Sequence, residues 1–255
     1  MSIASLYETR ILTGRSMRHI LRSPDTIITT AVTPVAMLLL FAYVFGGAID
    51  TQTTEPYVNY LLPGILIITI ASGVAYTSYR LFLDVRDGLV QRLRAMPISR
   101  SSVLWSHVTT SLISNLASMA LVLAVALIMG FRTSASFAQW LGVIGLLCLV
   151  TLSMTWIAVL AGLSAKSVDG ASAFSYPLIF LPLISSAFVP TDSMPAPVAW
   201  FAEHQPITAI VESLRALLAQ EPVGTNLPIA LAWLVAVALL GWGAATRVFR
   251  TKISS

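Results

Sequence analysis

Asp84 and Asp87 stand three residues apart, with Gly88, Gln91 and Arg92 following them. Carboxylates paired in this way can begin a two-metal site for phosphoryl transfer, which needs four carboxylates in all. The positions that would continue such a motif hold Ser101, Trp105 and Thr109. Two carboxylates cannot build that site. Nucleophilic catalysis also lacks its parts, because His19, His107 and His204 are widely separated and fall on different sides or at different depths. Residues Leu160 to Ser167 come nearest to a phosphate-binding loop, yet both required glycines are missing. The single cysteine, Cys148, can form neither an internal disulfide nor a cysteine-cluster metal site. By itself the chain is therefore expected to be no enzyme and to carry no cofactor.

The elements that hold these residues are apolar. Of 255 residues, 56% are hydrophobic and 10% charged, whereas a soluble domain carries about 25% charged residues. A net charge of +4 on so apolar a chain reads as a topology signal, not as a nucleic-acid surface. Apolar runs long enough to cross a bilayer cover 27–46, 60–82, 103–130, 139–163, 171–189 and 227–246. The first is too long for a signal peptide and has no cleavage site after it. Six spans are expected, in a single membrane domain covering 1–255. All but two of the fifteen basic residues fall in 1–26, in the 83–102 connection and its approach, at Lys166 or at the C-terminus. Only Arg132 and Arg215 lie on the other side. The positive-inside rule then puts both termini in the cytoplasm. Trp156 lies within the fourth span, so it packs against another helix or faces a cavity such as a substrate path.

Three polar segments are more specific. Residues 3–22 read as an amphipathic interface helix, with Ile3, Leu6, Tyr7, Ile11 and Leu12 on an apolar side. Arg15, Arg18 and Arg22 make a basic stripe toward headgroups or a partner. In the 83–102 connection, Gly88 and Pro97 bracket about two helical turns. Leu89, Leu93 and Met96 share one face there, suited to headgroups or to a cleft in a soluble protein. The external segment 190–226 holds a proline-bounded helix from Thr208 to Ala219, on which Glu212 and Arg215 can pair. It is apolar enough to dip into the outer leaflet. No span carries a convincing carboxylate or histidine at mid-membrane depth, as a proton-coupled secondary transporter would need. Uphill transport would draw its energy from another polypeptide.

Together these features resemble an ABC-2-type transporter permease of the daunorubicin/doxorubicin-resistance efflux family. The likeness is carried by the basic N-terminal helix, the loop from Asp84 to Arg100, the Pro177–Phe180 and Ala187–Pro190 stretches, and Gln205-Pro206-Ile207-Thr208 with the helix through Leu214-Arg215. Gln205 stands where that family often has Asn, and Pro182 adds a second kink site to the fifth span. The resemblance implies an all-α integral membrane protein with a short cytoplasmic coupling helix and a re-entrant-like external helix before the last span. It implies a second permease subunit, identical or sister, and two copies of a separate ATP-binding subunit that hold ATP and Mg. Asp84, Arg86, Asp87, Gly88, Leu89, Leu93, Arg94, Met96 and Pro97 would couple to that ATPase. Helices two and five would line the path, with Phe174, Tyr176 and Phe180 as candidate lining residues. The cargo would be a drug-like or lipid-like molecule, or alternatively a polysaccharide or lipid-linked envelope precursor.

Overall fold

A computed structural model describes residues 3–21, 30, 32–46, 56–88 and 100–254. Every regular element among them is helical. They are α1 (Ile3–Leu21), α2 (Thr33–Leu39, continuing as a π-helical turn over Leu40–Phe45), α3 (Tyr57–Arg86), α4 (Arg100–Ile128) and α5 (Phe137–Ser164). After these come α6 (Val168–Ala173), α7 (Ser175–Phe180), α8 (Ala196–His204), α9 (Pro206–Ala219) and α10 (Asn226–Ser254). Helices α3, α4, α5 and α10 are each long and apolar enough to cross a membrane.

Helix α3 is the axis of the bundle, packed by α2, α4, α5, α6, α7 and α9. Of its most apolar stretch 78% is buried, against 17% for α10. The outer helix thus leaves most of its apolar surface free for lipid or another subunit. Small residues let the inner helices approach closely, as packing within a bilayer favours. A Cβ added at Gly162 of α5 would lie 2.6 Å from the carbonyl oxygen of Ser78 in α3, so only glycine fits at that crossing. Hydroxyls bridge the same helices. Ser111 and Thr155 join α4 to α5 at 2.9 Å, and Ser153 of α5 donates to the Leu234 carbonyl of α10 at 2.8 Å. Local chemistry sets the start of α5. Ser136 and Gln139 form a reciprocal capping box, which satisfies two amide donors that a helix start leaves open.

Several expectations are modified. The stretch 171–189 is not one helix. It runs as α6, α7 and a 3-10 turn over Leu181–Ile184, and then becomes extended at Ser185. Pro177 and Pro182 lack the amide hydrogens that a continuous helix would use there. In the region 27–46, an apolar helix of 13 residues is described, Thr33–Phe45. Helix α10 runs eight residues past the expected end of the last span at 246, to Ser254. Helix α1 forms as anticipated, but its apolar side is only partly covered, with Leu12 packed inward. Tyr7 and Ile11 are exposed, whereas Thr9 and Thr13 are buried. Thr13 bonds Thr109 of α4 at 3.0 Å, and Ser102 of α4 donates to Glu8 at 2.8 Å.

Candidate functional site

At one end of the bundle, Leu81 of α3, Val103 and Leu104 of α4, Leu163 of α5 and Phe249 of α10 form a separate small core. Leu12 of α1 packs against it. Trp156 belongs to this core, 3% exposed and edge-on to Trp105 at a centroid distance of 5.4 Å. Of the two roles open to Trp156, the geometry is that of packing.

This core supports a charged cluster. Asp84, in the last turn of α3, has His107 Nε2 at 3.4 Å, Arg15 Nη2 at 3.6 Å and Arg80 Nη2 at 3.9 Å. One carboxylate therefore gathers cationic or hydrogen-bonding groups from α1, α3 and α4. Arg86 and Asp87 pair at the surface at 3.2 Å. Asp87 caps α3 by donating its amide to the Leu83 carbonyl at 2.8 Å, and Gly88 follows with φ of +80°. That left-handed conformation is open to glycine and costly for other residues, so the chain leaves α3 sharply at Gly88. Leu89, Leu93, Arg94, Met96, Pro97 and Arg22 lie outside the described residues. Arg18 is exposed on α1. Among the described residues no group of three His, Cys, Asp or Glu could hold a metal.

A second polar assembly occupies the opposite end. The unwound stretch after the Leu181–Ile184 turn presents carbonyls inside an apolar bundle, where each needs a donor. Side chains of α3, of α9 and of the junction between α8 and α9 supply them. Tyr57 donates to the Phe188 carbonyl at 3.0 Å and Tyr60 to the Ser186 carbonyl at 2.9 Å. Gln205 reaches the Leu181 carbonyl at 3.3 Å and that of Ile184. Arg215 Nη2 donates to the Ser186 and Tyr60 carbonyls at 3.0 and 3.2 Å, while Nη1 pairs with Glu212 at 2.6 Å. Its guanidinium carbon sits 3.8 Å over the Tyr60 ring. The Glu212–Arg215 pair was legible from its spacing on α9. The reach of Arg215 to α3 and to the bend was not. Phe174 packs on the main core, while Tyr176 and Phe180 are exposed.

The sequence has relatives. Residues 7–219 match the ABC-2 type transporter family. The chain is 26% identical over 208 residues to the daunorubicin resistance ABC transporter permease protein DrrB1 of Streptomyces coeruleorubidus, covering 80% of this chain and 72% of that one. It is 22% identical over 236 residues to the probable doxorubicin resistance ABC transporter permease protein DrrC of Mycobacterium tuberculosis, covering 91% and 84%. A putative transport permease, ycf38, of Cyanophora paradoxa is 25% identical over 217 residues, 83% of this chain and 74% of its own length. The family match takes in α1 from Tyr7 onward, the Asp84 cluster and the Arg215 assembly together. The chain belongs to the ABC-2 type transporter permease family.

Proposed function

We propose that this chain is the membrane subunit of an ATP-driven exporter that moves hydrophobic drug-like or lipid-like molecules out of the cell. The observation that carries the reading is the family match over residues 7–219. Relatives named for daunorubicin and doxorubicin resistance suggest the cargo class. Two copies of a separate ATP-binding subunit hold ATP and Mg and do the hydrolysis. A second permease subunit, the same chain or a sister, completes the path. The basic end of the bundle faces the cytoplasm, in keeping with the positive-inside rule.

Energy enters at the segment from Gly88 to Met96, whose Leu89, Leu93 and Met96 dock in a cleft of the ATPase. Closure of the ATPase pushes this segment against the last turn of α3. Asp84 lies in that turn and also contacts Arg15 of α1 and His107 of α4. A displacement of α3 is thus felt by both neighbours. The test is co-expression with a candidate ATP-binding subunit, affinity purification through this chain, and daunorubicin uptake by inverted vesicles. Co-purification and ATP-dependent uptake are expected. Absence of both with a well-expressed chain sinks the reading.

A further inference from the structure

The junction of α8 and α9 lies well below the end of the bundle at which α3 begins. Ala187 rests on Gly64 of α3, where an added Cβ would come within 2.7 Å of the alanine methyl. Gly64 follows Tyr57, the first residue of α3, by seven residues, about 10 Å along the helix. Gln205, at the junction, donates to the carbonyls of Leu181 and Ile184, which precede Ala187 as the chain climbs from the far half of α3. That climb starts where Ser78 holds the Ala171 carbonyl at 2.6 Å. From the junction α9 runs 14 residues, a length of about 21 Å. Its last carbonyls, Leu218 and Ala219, accept from Thr133 and Ser134 in the α4–α5 connection at 2.6 and 3.0 Å. Helices α8 and α9 thus make a hairpin whose tip is sunk among the spanning helices, with Ile207 and Ile210 in the main core.

Glu203 and His204 stand just before Gln205, and both are exposed. Neither belongs to a spanning helix, yet the hairpin carries them to the depth of acyl chains. An ionisable side chain at that depth faces a water-filled passage or another protein surface, not lipid. Among the described residues no ion pair reaches Glu203. His204 Nδ1 lies 2.7 Å from the Trp200 carbonyl, which can only accept, so Nδ1 carries the hydrogen. Nε2 of the neutral ring then presents a lone pair. The rings of His204 and Trp200 stack at 4.8 Å, and Trp200 is 64% exposed, so the other face of its indole is open. Residues 200, 203 and 204 share one side of α8. All three groups are electron-rich: a carboxylate, an imidazole nitrogen and an indole face.

We propose that this side of α8 binds the protonated amine of an amphiphilic cargo during its passage through the membrane. The ammonium pairs with Glu203 and donates to His204 Nε2, and the indole of Trp200 offers the aromatic face best suited to a cation. An anionic or neutral cargo would leave the Glu203 carboxylate without a counter-charge at that depth. The subsite rests on the proposed export function and names the part of the cargo that this chain reads.

The experiment is equilibrium binding of daunorubicin, followed by its fluorescence, to the purified full chain in lipid nanodiscs. N-acetyl-daunorubicin, which keeps the rings and lacks the charge, is the comparison. The native chain is expected to bind the amine about tenfold more tightly, the worth of one charge-assisted bond. Glu203→Gln should lower amine affinity about tenfold and leave the acetylated compound bound as before, which also shows that the variant is folded. His204→Phe keeps a ring against Trp200 and removes the acceptor, so it should lower amine affinity about threefold. Glu221→Gln, at an exposed carboxylate just past the end of α9, should behave as the native chain. Equal binding of the two compounds by the native chain overturns the subsite and leaves the export reading standing. Binding of neither overturns the cargo class and the subsite with it. The subsite is also overturned if Glu203→Gln binds the amine as the native chain does. A change of oligomeric state in that variant, read by light scattering, overturns it too and assigns Glu203 to a contact with the second subunit.

Discussion

Arg215 has more partners than any other residue of its assembly. Its guanidinium answers two backbone carbonyls and Glu212, and stacks over Tyr60. A planar fork can serve these partners at once, and an ammonium cannot. Arg215→Ala is expected to destabilise the chain by roughly 2 kcal/mol, from bonds to a charged donor lost in a half-buried site. Arg215→Lys should recover less than half of that. Thermal unfolding of the detergent-purified variants checks both, and equal melting temperatures for the native chain and the alanine variant would remove Arg215 from this role. Sequence spacing pointed to Glu212 as a partner, because i,i+3 neighbours share a helix face. Nothing in the sequence joined residue 215 to residues 60 and 186, which the chain's path alone brings together.

At the scale of elements, the α3–α5 contact is set by the close approach at Gly162. Gly162→Ala is expected to force the helices apart and cost about 1–3 kcal/mol, the usual range for overpacking. Gly145→Ala on the same helix meets nothing within 4 Å and should be neutral or stabilising. Unfolding of the two variants side by side distinguishes packing from helix propensity. A second expectation concerns the segment after α3. Leu93→Asp should leave the protein expressed in the membrane yet lower ATP-driven daunorubicin uptake at least about tenfold, since a charge cannot enter an apolar cleft unpaired. Normal uptake by that variant would disprove the coupling role of the segment. Helix α1 carries a lesson about patterning. Its apolar side was plain from periodicity, but hydrophobicity does not say what covers a face near a membrane. There Tyr7 and Ile11 stay open while Leu12, two threonines and a glutamate make the protein contact.

For the whole molecule, the grouping of ends is the decisive feature. The last turn of α3, the first turn of α4, the end of α5 and the end of α10 meet in one small core with α1 beside it. On the proposed orientation that end faces the cytoplasm. In a Cys148→Ser background, a membrane-impermeant maleimide on intact cells is expected to label Glu203→Cys in α8 and to spare Lys252→Cys in α10. Labelling of Lys252→Cys before the cells are opened would reverse the orientation. The sparsely buried α10 further implies that the chain meets more than its own helices.

Composition and periodicity were enough to establish an apolar helical chain, four of the six expected runs as long helices, the helix over Thr208–Ala219 and its internal ion pair. These are local matters, decided within a few turns by hydrophobic length, proline and charge. The break of the fifth apolar stretch was half legible, since Pro177 and Pro182 were visible but the donors that stabilise unwound carbonyls were not. Only the tertiary structure brought Asp84 to Arg15 and His107, Trp105 to Trp156, and Arg215 to Tyr60 and Ser186. Each of these contacts joins segments distant in sequence. Their formation depends on how helices cross, and crossing is set by small residues and bends whose joint effect no single window of sequence contains.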